Sequence, residues 1–172
     1  MEQLKIPKER ISVIIGVKGS TKRKIQKLTN TTLKINSEIG DVFIDGESIN
    51  VFNCLNIIKA IARGFNPDVA LKLLNEDYSF EIIPIEEFSR NKKDLVRIRS
   101  RLIGTEGKAR KSIEQLTGTD IMIYGKTVCI IGKIENVLLA RHGIINLLQG
   151  SKHGNVYSYL EKQKSKKQDI TN

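Results

Sequence analysis

Apolar and polar positions along the chain change period several times, and each change marks an expected element. Leu4-Lys5-Ile6-Pro7 suits a short strand ended by Pro7. Lys8 to Ile15 carries Ile11, Ile14 and Ile15 at helical spacing. A second helix runs to about Asn30, and Thr32 to Asn36 then alternates as a strand does. Gly40-Asp41 makes a turn, and Val42 to Asp45 returns as the next strand. Ser48 caps a longer helix with Ile49, Phe52, Leu55, Ile58, Ile61 and Ala62 as its apolar stripe, and Gly64 stops it. Val69 to Leu74 reads as a short bridging helix, with a boundary near Asn75–Asp77.

The same order then repeats. Ser79 to Pro84 is a strand, residues 85–92 a polar connection, and Asp94 to Ile103 a helix with Leu95, Ile98 and Leu102 on its buried face. Arg97 and Arg101, four apart, share another face. A basic helix follows, then strands over 121–124 and 127–131 around Gly125-Lys126, and a closing helix from Ile134 to Leu148. Residues 151–161 suggest a link and a last short helix. Lys162 to Asn172 has no apolar face and is expected to be mobile. The expected division is 1–76, 77–161 and the basic tail 162–172.

The repeat is tightest around Ile14-Ile15-Gly16-Val17-Lys18-Gly19 and Leu102-Ile103-Gly104-Thr105-Glu106-Gly107, which align at an offset of 88 positions. Ile25 then meets Ile113, Leu28 meets Leu116, Thr29 meets Thr117, Thr31 meets Thr119 and Ile35 meets Ile123. The second hairpin is two residues shorter, so Gly46 meets Gly132 and Gly64 meets Gly150. Gly-x-x-Gly between two helices allows close approach of another backbone. The free N–H groups and dipole of the following helix favour an anion. Lys22, Arg23, Lys108, Arg110 and Lys111 follow at once, which suits a nucleic-acid phosphate.

Aliphatic-Ile-Gly-x-x-Gly, a basic helix and two short strands resembles the KH domain, present here twice. The fold class this implies is α+β: two KH domains in tandem, each β-α-α-β-β-α, with a three-stranded antiparallel sheet packed on helices. Only 15 residues precede Gly16, so the closing helix is expected after the hairpin, as in the eukaryotic-type arrangement. In that family the Gly-x-x-Gly loop clamps the backbone of single-stranded nucleotides. The resemblance implies RNA contacts at Ile15, Gly16, Val17, Lys18, Gly19, Lys22, Arg23 and Ile35 in the first copy. In the second it implies Arg101, Ile103, Gly104, Thr105, Gly107, Lys108, Arg110, Lys111 and Ile123.

Gly64-Phe65-Asn66-Pro67-Asp68-Val69-Ala70-Leu71-Lys72-Leu73-Leu74 and His153-Gly154-Asn155-Val156-Tyr157 narrow the resemblance. Both are similar to segments of the paired-KH proteins of small-ribosomal-subunit assembly. Two intact loops in a short chain make it resemble the archaeal members. This implies binding near the 3′ end of small-subunit rRNA, with a PIN-domain endonuclease and the alpha subunit of a translation initiation factor as protein partners. Glu106 departs from the family's loops and should weaken the second site. The residues therefore favour the first loop, whereas the eukaryotic relatives favour the second copy.

Charge agrees with a nucleic-acid partner. Lys and Arg number 29 against 19 Asp and Glu, a net charge of +10. Residues 1–76 carry 12 basic and 8 acidic side chains and residues 77–172 carry 17 and 11, so both halves are basic. Cys54 and Cys129 lie in apolar runs and offer no disulfide framework. No apolar run reaches membrane-spanning length, so a cytoplasmic protein is expected. His142 and His153 lack ligand-spaced companions, and no carboxylate cluster or phosphate-binding Gly-rich Lys motif occurs. No metal, cofactor or catalytic site is expected. The competing readings are an RNA-degradation or nuclease cofactor and a DNA-binding regulator.

Overall fold

In each half of the chain, the third strand in sequence becomes the middle strand of a sheet. The computed structural model describes residues 1–172, in two units, Met1–Tyr78 and Ser79–Asn172. The first unit runs Glu2–Lys5 (β1), Lys8–Ile15 (α1), Ser20–Thr29 (α2), Thr32–Asn36 (β2), Asp41–Asp45 (β3), Ser48–Ala62 (α3) and Pro67–Ala70 (α4). A 3-10 turn continues α4 to Leu74. The strand order is β1-β3-β2, antiparallel throughout. Leu33 faces Ile44 and Ile35 faces Val42. Period-two alternation buries Leu33, Val42 and Ile44 while Thr32, Lys34 and Asp45 stay exposed.

The second unit runs β4 (Tyr78–Pro84), α5 (Lys92–Ile103), α6 (Lys108–Thr117), β5 (Asp120–Tyr124), β6 (Thr127–Lys133), α7 (Ile134–Leu148) and α8 (His153–Thr171). Its sheet has the equivalent order, β4-β6-β5. Ile85, Ile98, Leu102, Ile113, Ile121, Ile130, Val137, Ile144 and Leu147 form the core, and Val156 and Leu160 of α8 close it. The two units are thus α+β modules of the expected order.

Each core holds one polar pair. Thr29 Oγ1 donates to Ile25 O at 2.7 Å and lies 2.7 Å from Thr31 Oγ1. Thr117 repeats this with Ile113 O at 2.6 Å and Thr119 at 2.8 Å. The recurring Thr-x-Thr is therefore a satisfied buried hydroxyl pair tying a helix end to a strand start. Cys54 packs beside the first pair. Burial pushes its thiol above the ordinary value of 9.0, partly offset by hydrogen bonds to Thr31 and Thr29.

Three expectations need correction. Of the expected stripe of α3, Ile58, Ile61 and Ala62 are buried, but Ile49 and Phe52 are 64% and 59% exposed, and Val51, Cys54 and Ile57 are buried in their stead. Apolar residues stand on nearly every face of this helix, so only its packing on the sheet and on α1, α2 and α4 selects the buried one. Pro7 does not end the first strand; it stands at the N-cap of α1, after β1 has stopped at Lys5. The last helix does not stop near Glu161 but continues to Thr171. Its second half is mostly Lys, Gln, Ser and Asp, with Ile170 and Thr171 at its end and no Gly or Pro, so nothing breaks the helix.

Candidate nucleic-acid interface

The turn between α1 and α2 is built by backbone sign. Gly16 sits at φ 72°, ψ 178°, Lys18 at φ 51° and Gly19 at φ 75°, ψ 15°. Gly104, Glu106 and Gly107 repeat it at φ 75°, 56° and 73°. The first glycine has no substitute. A Cβ on Gly104 would lie 2.7 Å from Ala109 N and Cβ, and one on Gly16 would overlap the Thr21 hydroxyl. Gly19 N donates to Gly16 O at 3.2 Å and Gly107 N to Gly104 O at 3.2 Å, closing each turn. The chain then enters a helix of ten residues, with no side chain capping its first N–H groups. Val17 and Lys18, like Thr105 and Glu106, stand exposed at the tip.

In the first unit a cleft of about 290 Å³ beside this turn is lined by Ile15, Gly19, Lys22, Arg23, Gln26 and Ile35. Five of the residues expected to meet RNA, twenty positions apart at the extremes, therefore share one groove. Its walls are aliphatic on both sides and basic along the helix. Arg23 Nη1 donates to Lys18 O at 2.6 Å, bracing the turn. Gln26, absent from the expected set, takes Leu33 N at 2.8 Å on its Oε1 and so satisfies the edge of β2.

By the 88-residue offset, Ile103, Gly107, Arg110, Lys111 and Ile123 hold the places of Ile15, Gly19, Lys22, Arg23 and Ile35 in the second unit. Here the electrostatics differ. Arg110 Nη1 pairs with Glu114 Oε1 at 2.6 Å, and Glu114 also accepts from Ile121 N at 3.0 Å. Glu114 replaces neutral Gln26 in the same edge-capping role, so part of the charge of Arg110 is neutralised inside the protein. Lys108 and Lys111 remain exposed. A separate cleft of about 550 Å³ flanks the other side of this turn, lined by Arg97, Ser100, Arg101, Gly104, Thr105, Lys108, Ala109, His153 and Tyr157. A larger cleft, about 710 Å³, lies at the far end of α6 against Leu116, Leu139 and Lys167, away from the turn.

Arg101 is not placed as a free RNA contact. Its Nη1 donates to Leu147 O at 2.9 Å and its Nη2 to Ser151 O at 2.7 Å. The first unit uses Arg10 for the same task, with Nε on Ile61 O at 2.8 Å and Nη2 on Phe65 O at 2.9 Å. Ile61 and Phe65 correspond to Leu147 and Ser151 at the offset of 86. Both arginines bridge a carbonyl in the last turn of the closing helix, which also accepts the N–H of Gly64 or Gly150, to a carbonyl just beyond the helix. The two come from different turns of their helices, which hides the equivalence in the sequence. Arg97 is held by Asp94, at 2.8 Å, and the Asp94 carboxyl lies below its ordinary range, chiefly through the Arg90 N–H and then through Arg97.

Arg99 was not among the expected residues. It stands where Ile11 stands in the first unit, and its Nε is a buried donor with no partner. No three His, Cys, Asp or Glu side chains converge as metal ligands, and no helix is long and apolar enough to cross a membrane.

Comparison with known proteins agrees with this geometry. The family described as eukaryotic type KH-domain (KH-domain type I) matches residues 79–165, and the KH domain family matches residues 1–60. A KH domain-containing protein of Methanocaldococcus jannaschii is 40% identical over 171 residues, covering 96% of this chain and 75% of the relative. A pre-rRNA-processing protein, pno1, of Aspergillus oryzae is 34% identical over 115 residues, 64% of this chain and 44% of the relative. This chain therefore spans less than half of that fungal protein. The crystal structure of Dim2p from Pyrococcus horikoshii superposes with a TM-score of 0.87 at 43% identity, covering 94% of this chain and 98% of that one. The aDim2p structure in complex with a/eIF2alpha and rRNA, from the same organism, gives 0.88 at 42% identity, covering 96% and 94%.

Proposed function

This chain belongs to the Dim2/Pno1 family of paired-KH pre-rRNA-processing proteins, and from that premise we propose that it holds single-stranded RNA at the 3′ end region of small-subunit rRNA. Its role is assembly and processing in the cytoplasm, without catalysis of its own. The observation that carries the reading is the pair of left-handed Gly-x-x-Gly turns, each opening an uncapped, basic helix N-terminus. In the first unit the aliphatic-walled groove beside the turn is a cleft of about 290 Å³. A phosphate meets backbone N–H groups and lysines there, while bases lie against Ile15 and Ile35 or Ile103 and Ile123.

Of the two protein partners, one has support among the relatives and the other, the endonuclease, rests on the family resemblance of the sequence. The Pyrococcus horikoshii complex supports the alpha subunit of an initiation factor as a neighbour on the RNA. A PIN-domain endonuclease supplies the cleavage that this chain lacks. Ultraviolet crosslinking in the source cell, followed by sequencing of the bound RNA, tests the reading. The expected result is enrichment of small-subunit rRNA 3′ sequence. Enrichment of decay fragments, or of DNA, would replace it with a degradation cofactor or a DNA-binding regulator. Incubating the purified protein with labelled RNA and Mg²⁺ should leave the RNA at full length.

A further inference from the structure

The chain has one arginine whose setting the architecture does not explain. Arg97 is paired with Asp94, Arg110 with Glu114, and Arg10 and Arg101 clamp helix ends. Arg99 is half-buried, has its Nε fully shielded, and makes no hydrogen bond or ion pair within the protein. A guanidinium cannot shed its proton, so burying it unpaired is unfavourable. Its Nη1 and Nη2 are not shielded, so these two nitrogens are the ones to which a ligand can bring acceptors.

Its place on the helix says which ligand. Arg99 lies one turn before Ile103, on the same stripe of α5. The first-unit counterpart of Ile103 is Ile15, which lines the groove with Ile35. The counterpart of Arg99 is Ile11, buried beside the hairpin, 3.9 Å from the Cβ position of Gly40. Gly40 O accepts from Ile6 N at 2.8 Å, and Lys126 O accepts from Ile85 N at 2.8 Å, so both hairpins anchor at the same place. The helix wall that runs from the Gly-x-x-Gly turn towards the hairpin therefore carries Ile15 and then the buried Ile11 in the first unit, and Ile103 and then the half-buried cation Arg99 in the second. Phosphates are met at the turn and along the basic helix; bases are met along this wall.

From this geometry we infer that Arg99 reads a base in the second groove, selecting an edge with two adjacent acceptors: guanine through N7 and O6, or cytosine through N3 and O2. The planar fork matches such an edge with two parallel hydrogen bonds. Adenine and uracil place a donor beside each acceptor and leave one arm of the fork unmet. The first groove, with Ile11, makes no such choice. The inference rests on the RNA-binding reading above.

The test uses the full chain and short labelled single-stranded RNAs in which each position is in turn cytosine, guanine, adenine or uracil. The parent should prefer guanine or cytosine at one position by about ten-fold. Arg99→Ile, which installs the first unit's own residue, should abolish that preference, the guanine or cytosine strand losing its advantage of about ten-fold and the adenine and uracil strands losing less. Its melting temperature should stay level or rise. Arg99→Lys keeps the charge without the fork and should also lose the preference, which keeps the test decisive if Arg99→Ile fails to fold. A variant that loses affinity equally for every base would make Arg99 a phosphate contact and overturn the inference. So would a variant that keeps the parent's preference. A parent that binds none of the strands brings down the RNA-binding reading itself, and this inference with it.

Discussion

Each Gly-x-x-Gly turn contains two glycines with different tasks. Gly104 occupies a region of backbone space open only to glycine and is in contact range of the Ala109 backbone. Gly107 is in the ordinary left-handed region, and a Cβ there would meet only flexible ends of Lys111 and Arg110, at 3.9 and 4.0 Å. Gly104→Ala should therefore destabilise the chain by about 2–3 kcal/mol, and Gly107→Ala by about 1 kcal/mol, measured by denaturant titration. Equal losses would show that the clash with Ala109 is relieved by movement of the turn. The residues between the glycines carry the charge contrast. Changing Val17 and Lys18 to aspartates replaces one positive charge with two negative ones, and the same change at Thr105 and Glu106 replaces one negative charge with two. Aspartate accepts the left-handed backbone at these tips, so folding should survive. Affinity for a short single strand should fall at least about ten-fold for the first pair and less for the second. A larger effect in the second pair would make the first unit a scaffold, and parental binding by both would sink the phosphate-clamp reading.

At the level of elements, α8 divides into two halves with different roles. Val156 and Leu160 pack against Gly143 of α7, where a Cβ would meet Leu160 Cδ1 at 3.2 Å and Val156 Cγ1 at 3.3 Å. Glycine in mid-helix is the condition for this close crossing. Beyond Glu161, Lys167 attaches to α7, 2.7 Å from Asn136 Oδ1 and 3.5 Å from Glu135 Oε1, on the exposed surface. Leu160→Ala should destabilise by about 2–5 kcal/mol. Deleting residues 162–172 should cost no more than about 1 kcal/mol, the ordinary value of an exposed pair. Calorimetry on the two variants checks the contrast; similar losses in both would show that the second half of α8 holds the unit together.

The whole molecule carries +10, shared by both units, and this sets how it meets a polyanion. With about six phosphates engaged, three at each turn, the log–log dependence of affinity on salt for a single strand should have a slope near −4, at about −0.7 per contact. Arg110 paired to Glu114 and Arg101 clamped to α7 both lower the number of free cations in the second unit. A slope near −2 would therefore assign the phosphate contacts to one turn, and a slope near zero would remove them altogether. Titration of labelled RNA between low and moderate salt distinguishes these outcomes.

The element order was legible because it rests on local physics. Two glycines between helical stripes can only be a turn, period-two segments around Gly40-Asp41 and Gly125-Lys126 can only pair as hairpins, and a repeat at fixed offset forces one fold twice. The basic helix following each turn was equally plain. What the sequence could not decide was which way a side chain faces when several directions are open to it. The helix Ser48–Ala62 is apolar nearly all round, and packing chose Ile57 over Phe52. Arg101 follows the motif pattern, yet the nearby end of α7 and the link beyond it offer its guanidinium two carbonyls, Leu147 O and Ser151 O. Arg99 could be read beside Ile11 from the repeat alone, but that its Nε is shielded and unpartnered is a property of the folded second unit. Charge and period are written residue by residue; the partner of each charge depends on which elements tertiary packing brings within hydrogen-bonding reach.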